Sequence, residues 1–357
     1  VIHFFPRFSK NAENSPLGAH LRATGTEFRI FGAQVQQKYR YRFQLLLIGY
    51  PLLAWSALVS AVKSMVARSG PPPDVVVISS DVEVLVFALV RLLPFAARPR
   101  VVFVPFIFTE RAQPVINRLR LAYYRFVMRF VSCAICHSRL EVERYGALFA
   151  GCGASFVYVP WGTYVPPMAE ILQGAGPLPS GPELPVVVAA GRSGRDYPTL
   201  VKAAAGLECR VVIVCNEVVS LGGVLAGERV EILTDCFGLG YLWQLMRAAV
   251  VVVPLRVADI SAGQMVMIQA MALGRPLIVT WTPTVSDYLE DGVNAVLVPR
   301  GDAAAMEAAI SALLADPAKA AAMGLRAQAD YRDRFSGEAH IRLLVRAIEG
   351  HLAAVGG

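Results

Sequence analysis

The sequence predicts an α/β protein of two domains, each a parallel sheet with Rossmann-like alternation of strand and helix. Three observations predict it. A chain of 357 residues is longer than one ordinary core fills, and its 55% apolar and 17% charged composition belongs to a well-buried globular protein. Short β-branched runs alternate with helical patterns twice along the chain. Between the two series lies a stretch rich in proline and glycine, residues 166–185.

In the first series, Val1–Phe5, Val75–Ser79, Val101–Pro105, Cys133–Cys136 and Phe156–Val159 read as strands. They are continuous and β-branched or aromatic, as strands buried on both faces are. Val82–Leu93 and Ile116–Phe130 read as helices between them. The segment Phe43–Val62 is almost wholly apolar, but Pro51 interrupts it and Gln44, Ser56 and Ser60 dilute it. A buried helix packed on the sheet is the favoured reading. A monotopic helix lying in a membrane face and a true span are the alternatives.

The second series places strands at Val186–Ala190, Val211–Cys215, Val230–Leu233, Val250–Pro254, Pro276–Thr280 and Ala295–Val298. Helices fit at Tyr197–Ala205, Leu239–Ala248, Gly263–Leu273, Ala303–Leu314 and Ala318–Arg334, with a last amphipathic helix over about Gly337–Ala354. The expected division is therefore a first domain over 1–165, a linker over 166–185, a second domain over 186–335, and a C-terminal helix over 336–357 that crosses back to the first domain. Ligands of such sheets bind beyond the carboxyl ends of the strands, so the cleft between the domains is the expected site.

Charge is uneven. Residues 1–165 hold 19 Lys and Arg against 8 Asp and Glu, a net of +11, whereas the rest holds 15 against 19, a net of −4. The basic half suits an anionic lipid surface or a phosphorylated acceptor. Nucleic acid is disfavoured because no nucleic-acid motif accompanies the charge. The apolar start is too short for a signal peptide, so the six cysteines are expected to be reduced and mostly buried. Cys133-Ala134-Ile135-Cys136-His137 matches the CxxCH haem-attachment pattern. On a strand, residues three apart face opposite ways, so the pair cannot grip one haem.

Two motifs carry chemistry. In Ala189-Ala190-Gly191-Arg192-Ser193-Gly194-Arg195-Asp196-Tyr197-Pro198 a strand ends, a glycine turn follows and a helix begins. Arginines at such a turn stand where a diphosphate binds, and their charge offsets the charge that develops on a departing one. An ordinary solvated turn is the competing reading. The pattern is not GxGxxG, which disfavours a dinucleotide dehydrogenase. In the second motif, running from Asp259 through Ser261, Ala262, Gly263, Gln264 and Gln269 to Pro276, a small loop opens a helix whose free N–H groups favour phosphate. Gln269 is polar on an otherwise apolar face and needs a partner in the fold or in a ligand.

These residues resemble glycosyltransferase family 4, retaining enzymes of the GT-B fold, most clearly over about 186–335. In that family a Gly-Arg turn followed by a lysine holds the donor diphosphate; Gly191 and Arg192 match the turn, and Arg195 stands where the lysine does. The family's two glutamates, with seven residues between them and ahead of an Ala-Met-Ala-x-Gly-x-Pro run, correspond to Ser261 and Gln269, and Ala270–Pro276 matches the run itself. Asp287–Pro299 and Gly301-Asp302 also match, whereas the histidine usual after the third N-terminal strand is replaced within Phe106–Glu110. The resemblance implies that Arg192 and Arg195 hold the diphosphate and that Gly263 and Gln264 supply loop N–H groups. Gln269 would hold the ribose, Ser261 would face the sugar, and Asp259 would supply a nearby carboxylate.

The function expected is transfer of a sugar, with retention, from a nucleotide-diphosphate-sugar to a glycan or lipid-linked acceptor. No metal or other cofactor is expected. The catalytic candidates are Arg192, Arg195 and Ser261. Gly18, placed in the loop after the first strand, is a further donor-phosphate candidate. Asp81, Glu83, Thr109, Glu110 and His137 are acceptor-side candidates at strand ends, with helix capping as the alternative, and Asp81 with Glu83 reads as a cap rather than a metal pair. Arg118, Arg125 and Arg129 share one helix face, from which peripheral attachment to the cytoplasmic membrane face is expected. Rival readings are a non-catalytic relative that binds nucleotide-sugar or a membrane partner, and a GT-B sugar epimerase. The latter needs a paired acid and base that the sequence does not show.

Overall fold

In a computed structural model the described residues are 1–5, 16–23, 25, 27–31, 49–66, 71–110, 113–174, 184–192, 194–216 and 221–356. The chain forms two compact units, Val1–Val159 with Ile341–Gly357, and Pro160–His340. The units part ahead of the proline-rich stretch expected to divide them. The reason lies in residues 160–174. The Trp161 N–H donates to the Tyr288 hydroxyl at 2.8 Å, and Ile171 is fully buried in a core of the second unit. Residues 175–183 of the expected linker lie outside the described residues.

The first unit holds a six-stranded parallel sheet in the order β2-β1-β3-β4-β5-β6. Its strands are β1 (Ile2–Phe4), β2 (Phe28–Ile30), β3 (Val75–Ile78), β4 (Arg100–Phe103), β5 (Cys133–Cys136) and β6 (Ser155–Tyr158). Strand β2 was not expected: it is three residues long, has Arg29 at its centre and sits at the sheet edge, so it shows no buried apolar run. Among the described residues, helices α1 (Pro16–Ala23), α2 (Tyr50–Met65), α3 (Asp81–Val90), α4 (Pro114–Met128) and α5 (Arg139–Leu148) accompany these strands.

The sheet has two covered faces. One packs Ala61 and Met65 of α2, Phe87 of α3, Val127 of α4 and Tyr145 of α5 on strand residues such as Val76, Val101 and Cys136. The other packs Leu21 of α1 and Leu344 and Ile348 of the C-terminal helix on Val75, Val102 and Cys133. Cys133 and Cys136 thus face opposite cores, and burial raises the pKa of both thiols. The strand reading of the CxxCH pattern stands.

The second unit holds β7 (Val186–Ala190), β8 (Arg210–Val214), β9 (Val230–Leu233), β10 (Val250–Val253), β11 (Leu277–Thr280) and β12 (Val296–Val298). They form a parallel sheet in the order β12-β11-β10-β7-β8-β9. This is the doubly wound order: the chain builds outward from β7 to β9, then returns and builds the other way from β10. Short helix α6 (Met168–Ile171) precedes the sheet. Between and after the strands come α7 (Tyr197–Ala204), α8 (Gly238–Arg247), α9 (Gln264–Ala272), α10 (Ala303–Ala315) and α11 (Pro317–Asp330), and then the C-terminal helix α12 (Gly337–Gly356), which belongs to the first unit from Ile341 on. Every residue of β7 and β10 is buried, as the central strands of a sheet covered on both faces must be. Among the described residues no single helix is long and apolar enough to cross a membrane.

Candidate donor site at the strand switch

In the second unit β7 and β10 are neighbours, with Val187 opposite Val250 and Ala189 opposite Val252. The chain leaves their carboxyl ends in opposite directions, which opens a crevice at the switch. The two loops are tied together across it. The Asp196 N–H donates to the Pro254 carbonyl at 3.0 Å, and the Arg256 N–H to the Gly194 carbonyl at 2.8 Å. Leu255 in turn donates its N–H to the Thr280 hydroxyl at 3.0 Å, so β11 also fixes the second loop.

Arg195 lies at the centre. It is only 4% exposed and donates Nε–H to the Ala190 carbonyl at 2.8 Å. Burial lowers its pKa, while Tyr197, Tyr241 and Cys215 pull it back up, and an arginine remains a cation in such surroundings. Gly191 has φ +104°, and a Cβ there would run into the Arg195 guanidinium. Gly263 has φ +89°; a Cβ there would stand 2.9 Å from Val253 Cγ1 and 3.9 Å from Arg195 Nη1. The two glycines and Arg195 therefore come together, and side chains at 191 and 263 would close the space around the cation. The surface-turn reading of Arg195 is corrected. Arg192 is exposed, and Ser193 lies outside the described residues.

Gly263 is the N-cap of α9 and offers no side-chain oxygen to the first turn. The first N–H groups of that helix are thus left for another acceptor. Gln264 opens the helix buried, and its side-chain nitrogen has no hydrogen-bond partner among the described residues. Ala262 is buried, Ser261 half-buried and Asp259 exposed in the same loop.

Gln269 already has a partner, because the Tyr241 hydroxyl of α8 donates to its Oε1 at 2.8 Å. The bond fixes the Oε1 side of the amide and leaves its N–H groups as the donors for a ligand, a narrower role than the sequence allowed. Sequence reasoning missed Tyr241, and also Tyr197, whose hydroxyl donates to the Gly191 carbonyl. No local pattern marks either one. A cavity of about 770 Å³ in the same unit, lined by Trp281, Tyr288 and Arg334 among others, includes none of these residues. The loop geometry, not that cavity, locates the candidate site.

The first-unit candidates are placed as follows. Gly18 stands in α1, not in a loop, because Pro16 starts a helix there. Glu83 is buried and accepts the Ser79 N–H at 3.1 Å, while Ser80 Oγ accepts the Glu83 N–H at 3.2 Å. This reciprocal cap takes up the Glu83 carboxylate. Asp81 accepts the Tyr123 hydroxyl at 2.9 Å. The same cap recurs at α5. There Ser138 Oγ accepts the Glu141 N–H at 3.1 Å and Glu141 accepts the His137 N–H at 3.2 Å. His137 is buried, with Nδ1 2.9 Å from the Val159 carbonyl. Thr109 is exposed, its carbonyl bound by Arg120, and Glu110 pairs with Arg144 at 3.0 Å.

Residues 186–316 match the family model described as glycosyl transferases group 1. No curated protein matches the sequence. Among solved structures, sucrose-phosphate synthase of Thermosynechococcus elongatus is 20% identical with a TM-score of 0.70, covering 99% of each chain. The UDP-forming α,α-trehalose-phosphate synthase of Burkholderia vietnamiensis is 12% identical with a TM-score of 0.64, again over 99% of each chain. Anabaena HepE, solved with UDP and glucose, is 16% identical with a TM-score of 0.59, covering 98% of this chain and 99% of its own. The architecture is thus the GT-B fold. Within it, the match to the group 1 glycosyl transferase model lies wholly in the second unit.

Proposed function

We propose that the chain is a glycosyltransferase whose second unit binds a nucleoside-diphosphate-sugar at the β7–β10 switch. The observation that carries this is the buried Arg195 guanidinium, framed by Gly191 and Gly263 beside a helix start with no side-chain cap. Fixed cation and free N–H groups together suit a diphosphate. Arg192 adds a second, exposed cation, and Gln269 offers N–H groups to a ribose hydroxyl. HepE was solved with UDP-glucose, which makes UDP-sugars the first donors to test.

In the transfer, the bond from the anomeric carbon to the β-phosphate oxygen breaks and a bond to the acceptor oxygen forms on the same face. The acceptor proton passes to the leaving phosphate. Arg195 and the α9 N–H groups stabilise the charge that develops there. This chemistry needs no metal, and the acceptor is a glycan or a lipid-linked sugar.

Calorimetry across nucleoside diphosphates, followed by donor hydrolysis and transfer by purified protein, tests the reading. Binding of a nucleoside diphosphate and turnover that survives EDTA are expected. No binding of any of them would overturn the site. The Ser261 and Gln269 positions, with Tyr241 already on Gln269, favour one second reading, a binder without turnover. Tight binding with no hydrolysis or transfer would select it.

A further inference from the structure

The outer surface of the first unit carries a feature that donor binding does not use. Helix α2 packs against α3, and α3 against α4, all on one face of the sheet. Each presents large apolar side chains outward. On α4, Val115, Leu119, Ala122 and Phe126 recur at helical spacing, and Val115 and Leu119 are 70% and 67% exposed. On α2, Trp55 is 66% exposed. The turn after α3 adds Leu92 and Phe95, 77% and 68% exposed. Large apolar side chains scattered singly are ordinary, but three neighbouring elements presenting them together are not.

The charge on this surface has one sign. No Asp or Glu occurs in residues 50–66, 84–109 or 113–140. The two acids on the three helices are Asp81, which accepts the Tyr123 hydroxyl, and Glu83, which is buried in its cap. Arg118 and Arg129 are exposed beside the apolar row of α4, Lys63 is exposed at the end of α2, and Arg98 follows the turn. A protein partner of ordinary composition needs opposite charges scattered among the apolar contacts. An anionic bilayer needs what is present: apolar side chains to enter the headgroup boundary, a tryptophan at that depth, and cations that reach lipid phosphates.

We propose that the outer face of α2, the turn after α3, and α4 docks the protein on anionic lipid bilayers. This is interfacial attachment by side chains of a folded unit. It does not depend on the donor-site reading, because every residue invoked lies in the first unit.

Co-sedimentation with vesicles of phosphatidylcholine alone and of phosphatidylcholine with 30% phosphatidylserine (a composition of our choosing, roughly that of a strongly anionic leaflet) tests it. Binding is expected to the anionic vesicles only and to fall as salt rises. R118Q/R129Q should weaken partitioning about 30-fold, since each basic residue near such a surface contributes about a factor of 5. L119S/F126S should weaken it by roughly tenfold or more through lost apolar burial. Trp55 fluorescence should be quenched by brominated lipid, and the loss of that quenching in W55F identifies the source among the tryptophans. Unchanged melting temperature and nucleotide affinity in the variants show that the fold and donor site are intact. No sedimentation with anionic vesicles at low salt would overturn the proposal, as would binding unaffected by either double variant. A concentration-dependent dimer that L119S/F126S abolishes, without vesicle binding, would assign the face to a second copy of the chain and equally overturn it.

Discussion

Helices α3 and α5 of the first unit and α9 of the second all begin just beyond the carboxyl end of a buried parallel strand, yet their first turns differ. Ser80 with Glu83, and Ser138 with Glu141, close the first two, their side chains accepting backbone N–H groups there. Gly263 leaves the third open, beside a buried arginine. A closed helix start satisfies its own donors and stabilises the fold. An open one, with a cation held next to it, keeps its donors for a ligand. Of the acidic acceptor-side candidates in the first unit, Glu83 is a device of this closing kind, whereas Asp81 accepts the Tyr123 hydroxyl and Glu110 pairs with Arg144.

The two units also bury opposite kinds of base. The second buries Arg195 as a cation, whereas the first buries His3, 1% exposed with Nδ1 2.7 Å from Ser64 Oγ, as a neutral ring. Burial first, and then the Arg29 charge, lower the His3 pKa to about 4 from 6.5. The unfolded chain therefore binds the proton more readily than the folded one. The stability this site contributes is complete above about pH 6.5 and is lost as pH falls toward 4, up to about 3 kcal/mol. His3→Gln should flatten the acid limb of a denaturation-versus-pH series over that window. An unchanged limb would show that the ring is not what titrates.

Arg195→Ala should weaken nucleoside diphosphate binding by roughly 1.5–3 kcal/mol, the range for hydrogen bonds to charged groups. Arg192→Ala should cost less than Arg195→Ala, because an exposed cation is screened by solvent. Calorimetry on both variants checks the order; equal affinities in wild type and Arg195→Ala would remove the diphosphate assignment. Gly263→Ala should destabilise the second unit by about 1–3 kcal/mol, since the residue would hold a positive φ and press on Val253. Its donor affinity should fall too, as measured at a temperature where the variant is still folded.

Much of this was legible in the sequence. Val186–Ala190 and Cys133–Cys136 are strands over the residues expected, because a strand covered on both faces leaves a continuous apolar run. The glycines of the donor site were legible as turn residues. The depth of Arg195 was not, because a charged residue in a glycine turn looks solvated until Leu255 and Gly263 are known to lie against it. Nor was the bond from Tyr241 to Gln269, which joins residues 28 apart on two helices. Strand β2 escaped because an edge strand with Arg29 at its centre has no periodic apolar signal.

The smallest expected effect tests the comparison of helix starts most directly. Removing an N-cap hydroxyl typically costs ~1 kcal/mol, because one helix N–H loses its acceptor. Ser80→Ala and Ser138→Ala should each lower the melting temperature by a few degrees, about 2–4 °C per kcal/mol for chains of 150–250 residues. In the Ser80 variant Glu83 still accepts the Ser79 N–H, so S80A/E83Q should lose more than S80A alone. If both caps only hold the fold, neither variant changes nucleotide affinity, and transfer measured well below the melting temperature keeps its KM for acceptor. A rise in acceptor KM out of proportion to the lost stability would show that the Ser80 cap also meets the acceptor. The division between closed helix starts as scaffold and the open one as site would then fail at α3.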